Sequence, residues 1–480
     1  LGISCFYHDA AAALLRDGVL VAAAEEERFS RVKHDFGYPA LAVEFCLRKG
    51  GVQAGDLDYV VFYEKPFLKF ERILLTVLQT FPGSLRVFQE AMINWFGDKL
   101  WVKGIIHKRL GVPLEKILFV EHHISHAASA YFASPFEESA ILTIDGVGEW
   151  ATTTLGRARG SEILLESEQR FPHSLGLLYS AFTAYLGFEV NEGEYKVMGM
   201  APYGEPKYTD KVWKTVRRQG GGSFSLEMDY FTFHRSTTQS FGPKFVDLFG
   251  SPRRPESKFF TRSSGYPSYY GPKPAAFEAE CRLNEHYADV AASIQRVTEE
   301  LILDMAKELH RRTGLDRLCM AGGVALNSVA NGRVLRESGF KEVFVQPAAG
   351  DGGGALGAAL YVHNAVLGLP RSPVMEHAYW GEEYSPAEAA RQLREAGARW
   401  EEVEDEEKLL GRVVERLMRG EVVGWHQGRF EWGPRALGNR SILANPARED
   451  MKEIVNTKIK FREPFRPFAP SVLAGRAAEF

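Results

Sequence analysis

The sequence has few of the features that mark secreted, membrane-spanning or nucleic-acid-binding proteins. Only four cysteines occur among 480 residues, far apart and without a C-x-x-C pair, so neither a disulfide framework nor a cysteine zinc site is predicted. The formal net charge of -4 gives no electrostatic basis for general binding of nucleic acid. No apolar run of about 18 residues is present, and the opening LGISCFYH is unlike a signal peptide. We therefore expect a cytoplasmic protein with buried thiols and neither nucleic acid nor membrane as a partner.

The composition is typical of a folded protein with more than one domain, since 480 residues exceed one ordinary domain. The first 30 residues predict strand, turn and strand around Asp17-Gly18, and a similar arrangement begins at residue 139. Each unit has an Asp near the end of its first strand, Asp9 in one and Asp145 in the other. The repeat predicts an α/β fold of two similar halves, as in the actin, Hsp70 and sugar-kinase architecture.

The remaining segments indicate how the chain is organised. Residues 67–110, rich in Phe, Leu and Trp, predict amphipathic helices of a packed insertion, and 277–313 predict a long helix. Residues 205–275 are dense in Gly, Pro, Ser and aromatic residues and predict a loop-rich excursion. The sequence thus predicts three parts: a duplicated domain (1–366), a linker (367–384) and a second domain (385–480).

Three histidines lie close together in the segment VEHHISHAASA. His122 and His126 are four residues apart, so on a helix both face one side about one turn apart. Two imidazoles at that spacing can hold one metal ion, with a carboxylate supplied from elsewhere. The second position is His123 rather than Glu, which disfavours a metalloprotease. A polar helix start without a metal is the alternative.

Three strand-to-glycine turns are typical of nucleotide sites. They occur in ILTIDGVGEW, MAGGVALN and PAAGDGGGALG. Backbone N–H groups in such turns can face phosphates, and their acidic residues can face a metal. A tight hairpin turn is the alternative for the first of them. The candidate residues are Asp145, Gly146, Gly148, Gly322, Gly323, Asn327 and Asp351.

Basic residues dominate two C-terminal segments, GRFEWGPRALGNRSILANP and KIKFREPFRPFAPS. Arginine side chains match phosphate and carboxylate oxygens with two parallel hydrogen bonds. The segments therefore predict a pocket for a small phosphorylated anion, and structural arginine pairs are the alternative. The basic residues are Arg429, Arg435, Arg440, Lys458, Lys460, Arg462 and Arg466.

Motifs along nearly the whole chain resemble those of the O-carbamoyltransferase family, whose members carbamoylate nodulation factors, cephalosporins, novobiocin and tobramycin. They include HDAAAAL, ERFSRVKHD, EHHISHAASA, DGVGEW, EYKVMGMAPYG, GGVALN, GDGGGALG, GPRALGNRSILA and REPFRPFAPS. The resemblance implies an actin-like (ASKHA, TsaD-like) domain followed by a YrdC-like α+β domain. Because family members continue past REPFRPFAPSVL, we expect the YrdC-like domain to be incomplete in this chain.

The resemblance also implies an activity. The YrdC-like domain would form carbamoyl adenylate from carbamoyl phosphate and ATP with Mg²⁺. The actin-like domain would then transfer the carbamoyl group to a hydroxyl of a small natural product or sugar. The sequence leaves the oligomeric state open, and a homodimer is one alternative. Adenylation supplies a better leaving group than phosphate, and a neutral imidazole near the acceptor hydroxyl can take its proton.

The family's site residues map onto this sequence residue by residue. His8 matches the residue proposed to act on the acceptor hydroxyl, and the matching ligands of one Fe(II) or Zn ion are His122, His126 and Asp351. Lys33 and Lys196 are implied contacts of the nucleotide or adenylate. The basic residues of the second domain, together with Ser441, match the carbamoyl phosphate site.

Three other functions are compatible with parts of the sequence. An actin-like small-molecule kinase or ATPase would leave the arginine-rich C-terminal motif without a role. A tRNA threonylcarbamoyl transferase would favour a basic surface, which a net charge of -4 does not provide. A nucleotide-binding protein without turnover is the third. For the carbamoyltransferase, we expect the 205–275 excursion to select the acceptor.

Overall fold

The fold consists of two α/β halves and a smaller C-terminal part. The computed structural model describes residues 1–97, 99–371 and 374–479. The strands of this part of the chain are β1 (Gly2–Ser4), β2 (Ala11–Arg16), β3 (Val19–Glu25), β4 (Val60–Phe62), β5 (Ile117–Phe119), β6 (Glu138–Ile144), β7 (Ala151–Arg159), β8 (Glu162–Arg170), β9 (Val216–Arg218), β10 (Phe224–Leu226), β11 (Arg317–Ala321), β12 (Glu342–Val345), β13 (Val423–His426) and β14 (Arg440–Leu443). The α-helices are α1 (Glu27–Ser30), α2 (Ala40–Gly50), α3 (Pro66–Thr80), α4 (Leu85–Gly97), α5 (Val102–Leu110), α6 (His122–Tyr131), α7 (Leu175–Tyr185), α8 (Glu194–Met200), α9 (Thr209–Val212), α10 (Pro243–Phe249), α11 (Phe277–Thr313), α12 (Ser328–Glu337), α13 (Asp351–Tyr361), α14 (Pro386–Glu395), α15 (Glu406–Met418) and α16 (Met451–Ile454).

The two large sheets share one strand order and one set of strand directions. The first runs β3-β2-β1-β4-β5 and the second runs β8-β7-β6-β11-β12. In each, the strand that comes first along the chain pairs antiparallel with a hairpin strand and parallel with a later strand. One topology used twice is the internal duplication that the sequence predicted. The α/β, actin-like fold class is therefore confirmed.

The hairpin that opens each half follows from its local sequence. In the first half, β2 and β3 pair antiparallel around Asp17 and Gly18, whose φ values of 50° and 81° suit an Asp-Gly hairpin turn. In the second half, β7 and β8 are joined through Gly160 at a φ of 60°. Side chains along β8 alternate between exposed and half-buried, because this edge strand has one face toward solvent.

The helices predicted from periodicity are present. Helix α11 spans Phe277–Thr313, the range that the sequence predicted, and it lines the core of the second half. Helices α3, α4 and α5 occupy the insertion predicted over 67–110. Within the described ranges, no helix is both long and apolar enough to cross a membrane. The four cysteines are free and buried, as expected.

Helix α13 lies between the two halves, and its backbone directly contacts the backbones of neighbouring elements. A Cβ atom added to Gly357 would lie 1.8 Å from the carbonyl oxygen of Ser125 in α6. A Cβ added to Gly2 of β1 would lie equally close, at 1.8 Å, to the carbonyl oxygen of Ala355. Only glycine allows backbones to approach this closely. The contact brings Asp351, the first residue of α13, to the first turn of α6.

The segment predicted as a linker packs against the first half where it is described. The amide of Ala23 in the edge strand β3 donates to the carbonyl of Trp380 at 3.1 Å. The amide of Met375 donates to the carbonyl of Ala133 at 2.9 Å. Residues 372 and 373 lie outside the described ranges. The predicted division into domains stays a prediction.

The C-terminal part is anchored to the first domain by its arginine-rich motif. Trp432 is fully buried in the hydrophobic cluster between the two halves. Arg28 in α1 is buried and donates to the carbonyl of Gly433 at 2.7 Å. The buried carboxylate of Glu431 accepts three amides of the following loop, those of Leu437, Asn439 and Arg440. Helices and the antiparallel ribbon β13–β14 form the rest, and the YrdC-like assignment stays a prediction.

We expect Gly357→Ala to lower the free energy of unfolding by about 1–3 kcal/mol or more, because the new methyl group would meet the backbone of α6. Urea-induced unfolding measures the change. Gly104→Ala in α5 is the matched control, since nothing lies within 4 Å of a Cβ there and alanine favours a helix by up to about 1 kcal/mol. Equal stability of both variants would contradict the proposed close packing.

Candidate functional site

Four buried side chains from three elements converge between the halves. Helix α6 presents His122 and His126 one turn apart, α13 begins with Asp351, and β6 leads into Asp145. The Nε2 atoms of the two imidazoles are 3.0 Å apart, and Asp145 Oδ2 lies 3.0 Å from His122 Nε2. Asp351 Oδ1 lies 3.7 Å and 3.6 Å from the Nε2 atoms of His122 and His126. We call these four residues the His/Asp cluster.

The His/Asp cluster could hold one metal ion. Burial alone would lower the pKa of His126, but the carboxylates of Asp145 and Asp351 outweigh it and raise this pKa to about 9. Burial would likewise raise the pKa of Asp145, yet hydrogen bonds from the two imidazoles hold it well below its usual value. The Nδ1 atoms of His122 and His126 are buried and have no hydrogen-bond partner in the part of the chain that the structure describes. Two nitrogens and two carboxylate oxygens are a donor set that zinc and iron both accept.

A layer of buried residues surrounds the cluster. The carboxylate of Glu149 accepts the amide of His122 at 3.0 Å and that of Lys65 at 2.8 Å, which satisfies the free N–H at the start of α6. The hydroxyl of Tyr63 donates to Asp351 Oδ2 at 3.5 Å. Glu64 Oε2 lies 3.9 Å from His122 Nδ1. These contacts hold the ligand-type side chains in place.

The glycine turns hold Asp145 against α6. The amide of Gly323 donates to Asp145 Oδ1 at 2.8 Å. Gly322 has a φ of 93°, and a Cβ there would lie 2.2 Å from a carbonyl oxygen of β6. Gly148 lies against the His122 side chain, and the carbonyl of Gly146 accepts a hydrogen bond from a serine hydroxyl at 2.6 Å. The structure therefore brings these predicted nucleotide residues together beside the His/Asp cluster.

Asn327 lies at the start of α12 and is held by the protein itself. Its side-chain oxygen caps the helix by accepting the amide of Ala330 at 3.1 Å. Its amide group also exchanges hydrogen bonds of 3.1 Å and 3.0 Å with the side chain of Gln295. The predicted nucleotide contact at this position stays a prediction.

A second group of polar side chains lies at the start of the first half. Asp9 accepts hydrogen bonds from His8 Nδ1 at 2.7 Å and from His34 Nδ1 at 2.8 Å. His8 Nε2 donates to the backbone carbonyl of Asn191 at 2.9 Å. Burial alone would lower the pKa of His8, but the hydrogen bond to Asp9 and the charges of Asp9 and Asp351 raise it to about 9. His8 is therefore oriented by a carboxylate and charged at neutral pH.

The predicted carbamoyl phosphate residues largely share one region around Tyr195 of α8. The guanidinium carbons of Arg435 and Arg466 lie 5.1 Å and 4.7 Å from the centre of its ring, and Arg466 donates to its hydroxyl at 2.8 Å. Partial burial and the charges of Arg462, Arg466 and Arg440 lower the pKa of Lys460. Like charges held together are a favourable site for an anion. Assignment of this site to carbamoyl phosphate stays a prediction.

The other three predicted residues of this set lie apart from that region. Arg429 donates to the carbonyls of Val21, Trp380 and Gly381 and so holds the C-terminal part to the first domain. Ser441 pairs with a residue of β13 in the ribbon. Lys458 is exposed. The structure thus does not bring these three residues together with the other predicted carbamoyl phosphate residues.

The two predicted lysine contacts pair with carboxylates on or beside α8. Lys33 forms an ion pair with Glu192. Lys196 Nζ lies 3.4 Å from Glu463 Oε1, so it links α8 to the C-terminal REPFRPF motif. Both lysines lie beside the cation-rich region around Tyr195, whose ring centre is 6.0 Å from Lys33 Nζ.

Sequence reasoning assigned no site role to several residues that complete these groups. Asp9 was predicted only as part of the internal repeat. Glu149 follows the glycine turn from which Asp145 was predicted as a site residue. Tyr63 and Glu64 belong to no motif that marks them. The ERFSRVKHD motif was the one signal that could have directed attention to His34.

Comparison with known proteins identifies the family. The family description Carbamoyltransferase N-terminus matches residues 1–360, and Carbamoyltransferase C-terminus matches residues 414–480. The chain therefore belongs to the carbamoyltransferase family. The predicted family and enzyme class are confirmed.

Individual relatives are consistent with this membership. The chain is 48% identical, over all of its length and 76% of the relative's, to an uncharacterised protein of Synechocystis sp.. It is 37% identical to nodulation protein NolNO of Sinorhizobium fredii, over 99% of this chain and 64% of that protein. It is 39% identical to the 3'-hydroxymethylcephem-O-carbamoyltransferase of Streptomyces clavuligerus, over 32% of this chain and 27% of that enzyme. The chain thus spans about two thirds to three quarters of the first two relatives.

Solved structures resemble the chain only distantly. Component A of the (R)-2-hydroxyglutaryl-CoA dehydratase of Acidaminococcus fermentans matches 75% of this chain and 95% of its own, with a TM-score of 0.35 and 14% identity. We therefore base the fold class on the repeated strand order of the two sheets.

We expect Asp145→Asn to reduce bound metal as strongly as His122→Ala, by at least about tenfold in affinity, because Asp145 Oδ2 is closer to His122 Nε2 than Asp351 is. Metal content of the purified protein, measured by plasma mass spectrometry for iron and zinc, checks this. Asp58→Asn, an exposed site in the first half, is the control. Full metal content in Asp145→Asn would restrict the ligands to the three that the family resemblance implies.

Proposed function

We propose that this chain is an ATP-dependent O-carbamoyltransferase. Carbamoyl phosphate, ATP and water would give carbamoyl adenylate with release of phosphate and pyrophosphate. The carbamoyl group would then pass to a hydroxyl of a small molecule as AMP leaves. The observation that carries the proposal is a histidine oriented by a carboxylate beside a buried His/Asp cluster, in a chain of the carbamoyltransferase family.

The surroundings of His8 support a role for this residue in acting on the acceptor hydroxyl. A Cβ on Gly352, the residue after Asp351, would lie 3.8 Å from the carbonyl oxygen of Asp9, so His8 and the His/Asp cluster are neighbours. We call the region between them the cleft. Once neutral, His8 keeps its Nδ1 proton on Asp9 and offers Nε2 as a base. The acceptor hydroxyl would replace the carbonyl of Asn191 at Nε2. The proton of the hydroxyl then moves to Nε2 as its oxygen attacks the carbamoyl carbon.

The charged groups of the cleft would serve the donor. A divalent ion in the His/Asp cluster, Fe(II) or Zn, would offset the negative charge that develops as AMP leaves. The cations around Tyr195 would bind the phosphate of carbamoyl phosphate, and the glycine turns would bind ATP with Mg²⁺. The loop-rich 205–275 excursion would contribute to the choice of acceptor.

The first test is a product assay on the protein with its natural ends. With ATP, carbamoyl phosphate and Mg²⁺ but no acceptor, we expect pyrophosphate that depends on carbamoyl phosphate. Anion exchange chromatography separates AMP from ADP. ADP as the sole nucleotide product would instead favour a kinase or ATPase, and bound ATP without turnover would favour a nucleotide-binding protein.

The pH dependence of carbamoyl transfer tests the role of His8. Because the base must be neutral and its pKa is about 9, we expect the rate to rise with pH up to about that value. In Asp9→Asn the lost carboxylate no longer stabilises the imidazolium, so the rise shifts to lower pH. The maximal rate also falls, since the ring is less well oriented. Asp58→Asn is the control, and an unshifted profile in Asp9→Asn would argue against His8 as the base.

A further inference from the structure

Helix α3 buries two charged side chains together with Val77 and leaves several large apolar side chains exposed. Lys69 and Arg72 are 2% and 6% exposed, whereas Phe67 and Leu78 are 69% and 64% exposed. The hydrophobic effect favours the opposite arrangement. Packing alone therefore does not account for cations on the inner face of this helix, and each of them needs an ionic partner.

Lys69 has its partner within the protein. Its Nζ atom lies 2.5 Å from Glu64 Oε2 and 4.0 Å from the centre of the Tyr7 ring. The same oxygen of Glu64 lies 3.9 Å from His122 Nδ1. Lys69 therefore belongs to the layer around the His/Asp cluster, and Glu64 neutralises its charge.

Arg72 has no such partner among the residues that the structure describes. Its guanidinium carbon lies 4.8 Å from the centre of the Phe171 ring, which belongs to the second half. Its Nε atom is buried without a hydrogen-bond partner, and no described carboxylate lies within ion-pair distance of its guanidinium. Buried charges in proteins are normally paired, because an unpaired one is costly. Burial lowers the pKa of Arg72, and the charges of Tyr7, Glu64 and Glu149 oppose this shift without an ion pair being formed. Within the described ranges the guanidinium is therefore left without a carboxylate in direct contact, as a site that binds an external anion would be.

The insertion that carries Arg72 connects the two halves across the cleft. Thr237 of the 205–275 excursion donates to Glu90 of α4 at 2.6 Å. The amide of Lys65, just before α3, donates to Glu149 of the second half at 2.8 Å. The inner face of α3 also contacts Tyr7, the neighbour of His8, through Lys69. Arg72 follows Lys69 by three residues on the same face of α3, so it lies close to the cleft that holds His8.

We propose that Arg72 binds an oxyanion of a substrate in this cleft, a carboxylate or a phosphate group; this inference rests on the proposed function. The planar guanidinium can donate two parallel hydrogen bonds to such a group, and the Phe171 ring fixes its plane. The cations around Tyr195 already offer a site for the phosphate of the donor. Arg72 therefore selects an acceptor that carries an acidic group as well as a hydroxyl.

Binding of matched probes to the full protein tests this site. Isothermal titration calorimetry would compare D-glucuronate with neutral D-glucose, and inorganic sulfate as the smallest oxyanion. We expect glucuronate to bind the native protein at least about tenfold more tightly than glucose. Arg72→Gln should remove that difference, and Arg72→Lys should retain part of it. Arg86→Gln, the same change at an exposed position of the same insertion, should leave it unchanged.

Two outcomes would overturn the site itself. One is that sulfate and glucuronate each bind Arg72→Gln as tightly as they bind the native protein. The other is a fall of several degrees in the melting temperature of Arg72→Gln, which would show a structural role. A buried unpaired charge predicts an unchanged or higher melting temperature on removal. Arg72→Lys supplies the binding comparison if Arg72→Gln does not fold.

Pyrophosphate release without an acceptor distinguishes the source of the anion. An unchanged KM for carbamoyl phosphate in Arg72→Gln supports the acceptor, and a raised KM would overturn that assignment in favour of the donor's phosphate. The same assay separates this inference from the proposed function. Absence of pyrophosphate in the native protein refutes the function, whereas normal release with equal anion binding refutes only the Arg72 site.

Discussion

The arrangement of the whole cleft depends on the close contact between α13 and α6. Backbone atoms of the two helices touch where Gly357 faces Ser125, and this contact determines where both helices begin. Asp351 opens α13 and His122 opens α6, so their side chains meet at the positive ends of two helix dipoles. Those ends favour carboxylates and offset the cost of burying them. A larger residue at 357 would separate the helices and, with them, the ligand-type atoms that now lie within 4.8 Å of one another.

The duplicated topology explains why two acidic residues occupy comparable places with different partners. Asp9 precedes the hairpin of the first half and binds two imidazoles, those of His8 and His34. Asp145 follows the first strand of the second half and binds His122 and the amide of Gly323. Because the two halves face one another, the repeated position supplies a carboxylate that orients His8, the base of the proposed mechanism, and also a candidate metal ligand. The repeat thus produces two adjoining sites with distinct chemistry.

Local patterns in the sequence predicted much of the fold and part of the candidate site. The spacing of His122 and His126 is sufficient to place them on one helix face, since four residues make about one turn. The glycine turn after a buried strand was sufficient to identify Asp145. Its contact with His122 could not be predicted, because it depends on how β6 and α6 pack. The contacts of Glu149 and Glu64 with His122 could not be predicted either, because they depend on tertiary packing and not on local spacing in the sequence.

The insertion shows the limit of periodicity most clearly. An amphipathic pattern over α3 correctly predicted a helix, but the usual rule assigns its apolar face to the core. The rule fails at Lys69 because the interior beside the His/Asp cluster is itself charged, so Glu64 attracts this cation inward. The buried position of Lys69 is therefore a consequence of the charges around the cluster.

The cation-rich region around Tyr195 is built from residues on both sides of the boundary between the two parts. The sequence assigned its arginines to the second domain alone, yet Arg435 and Arg466 pack on Tyr195 of the first domain. Arg28 of the first domain in turn holds the loop that carries Arg435 by donating to Gly433. A guanidinium held by packing on an aromatic ring loses little freedom when it binds an anion. This cation-rich region, built from both parts, lies beside the cleft of His8, so a donor that bound there would have a short path to its acceptor.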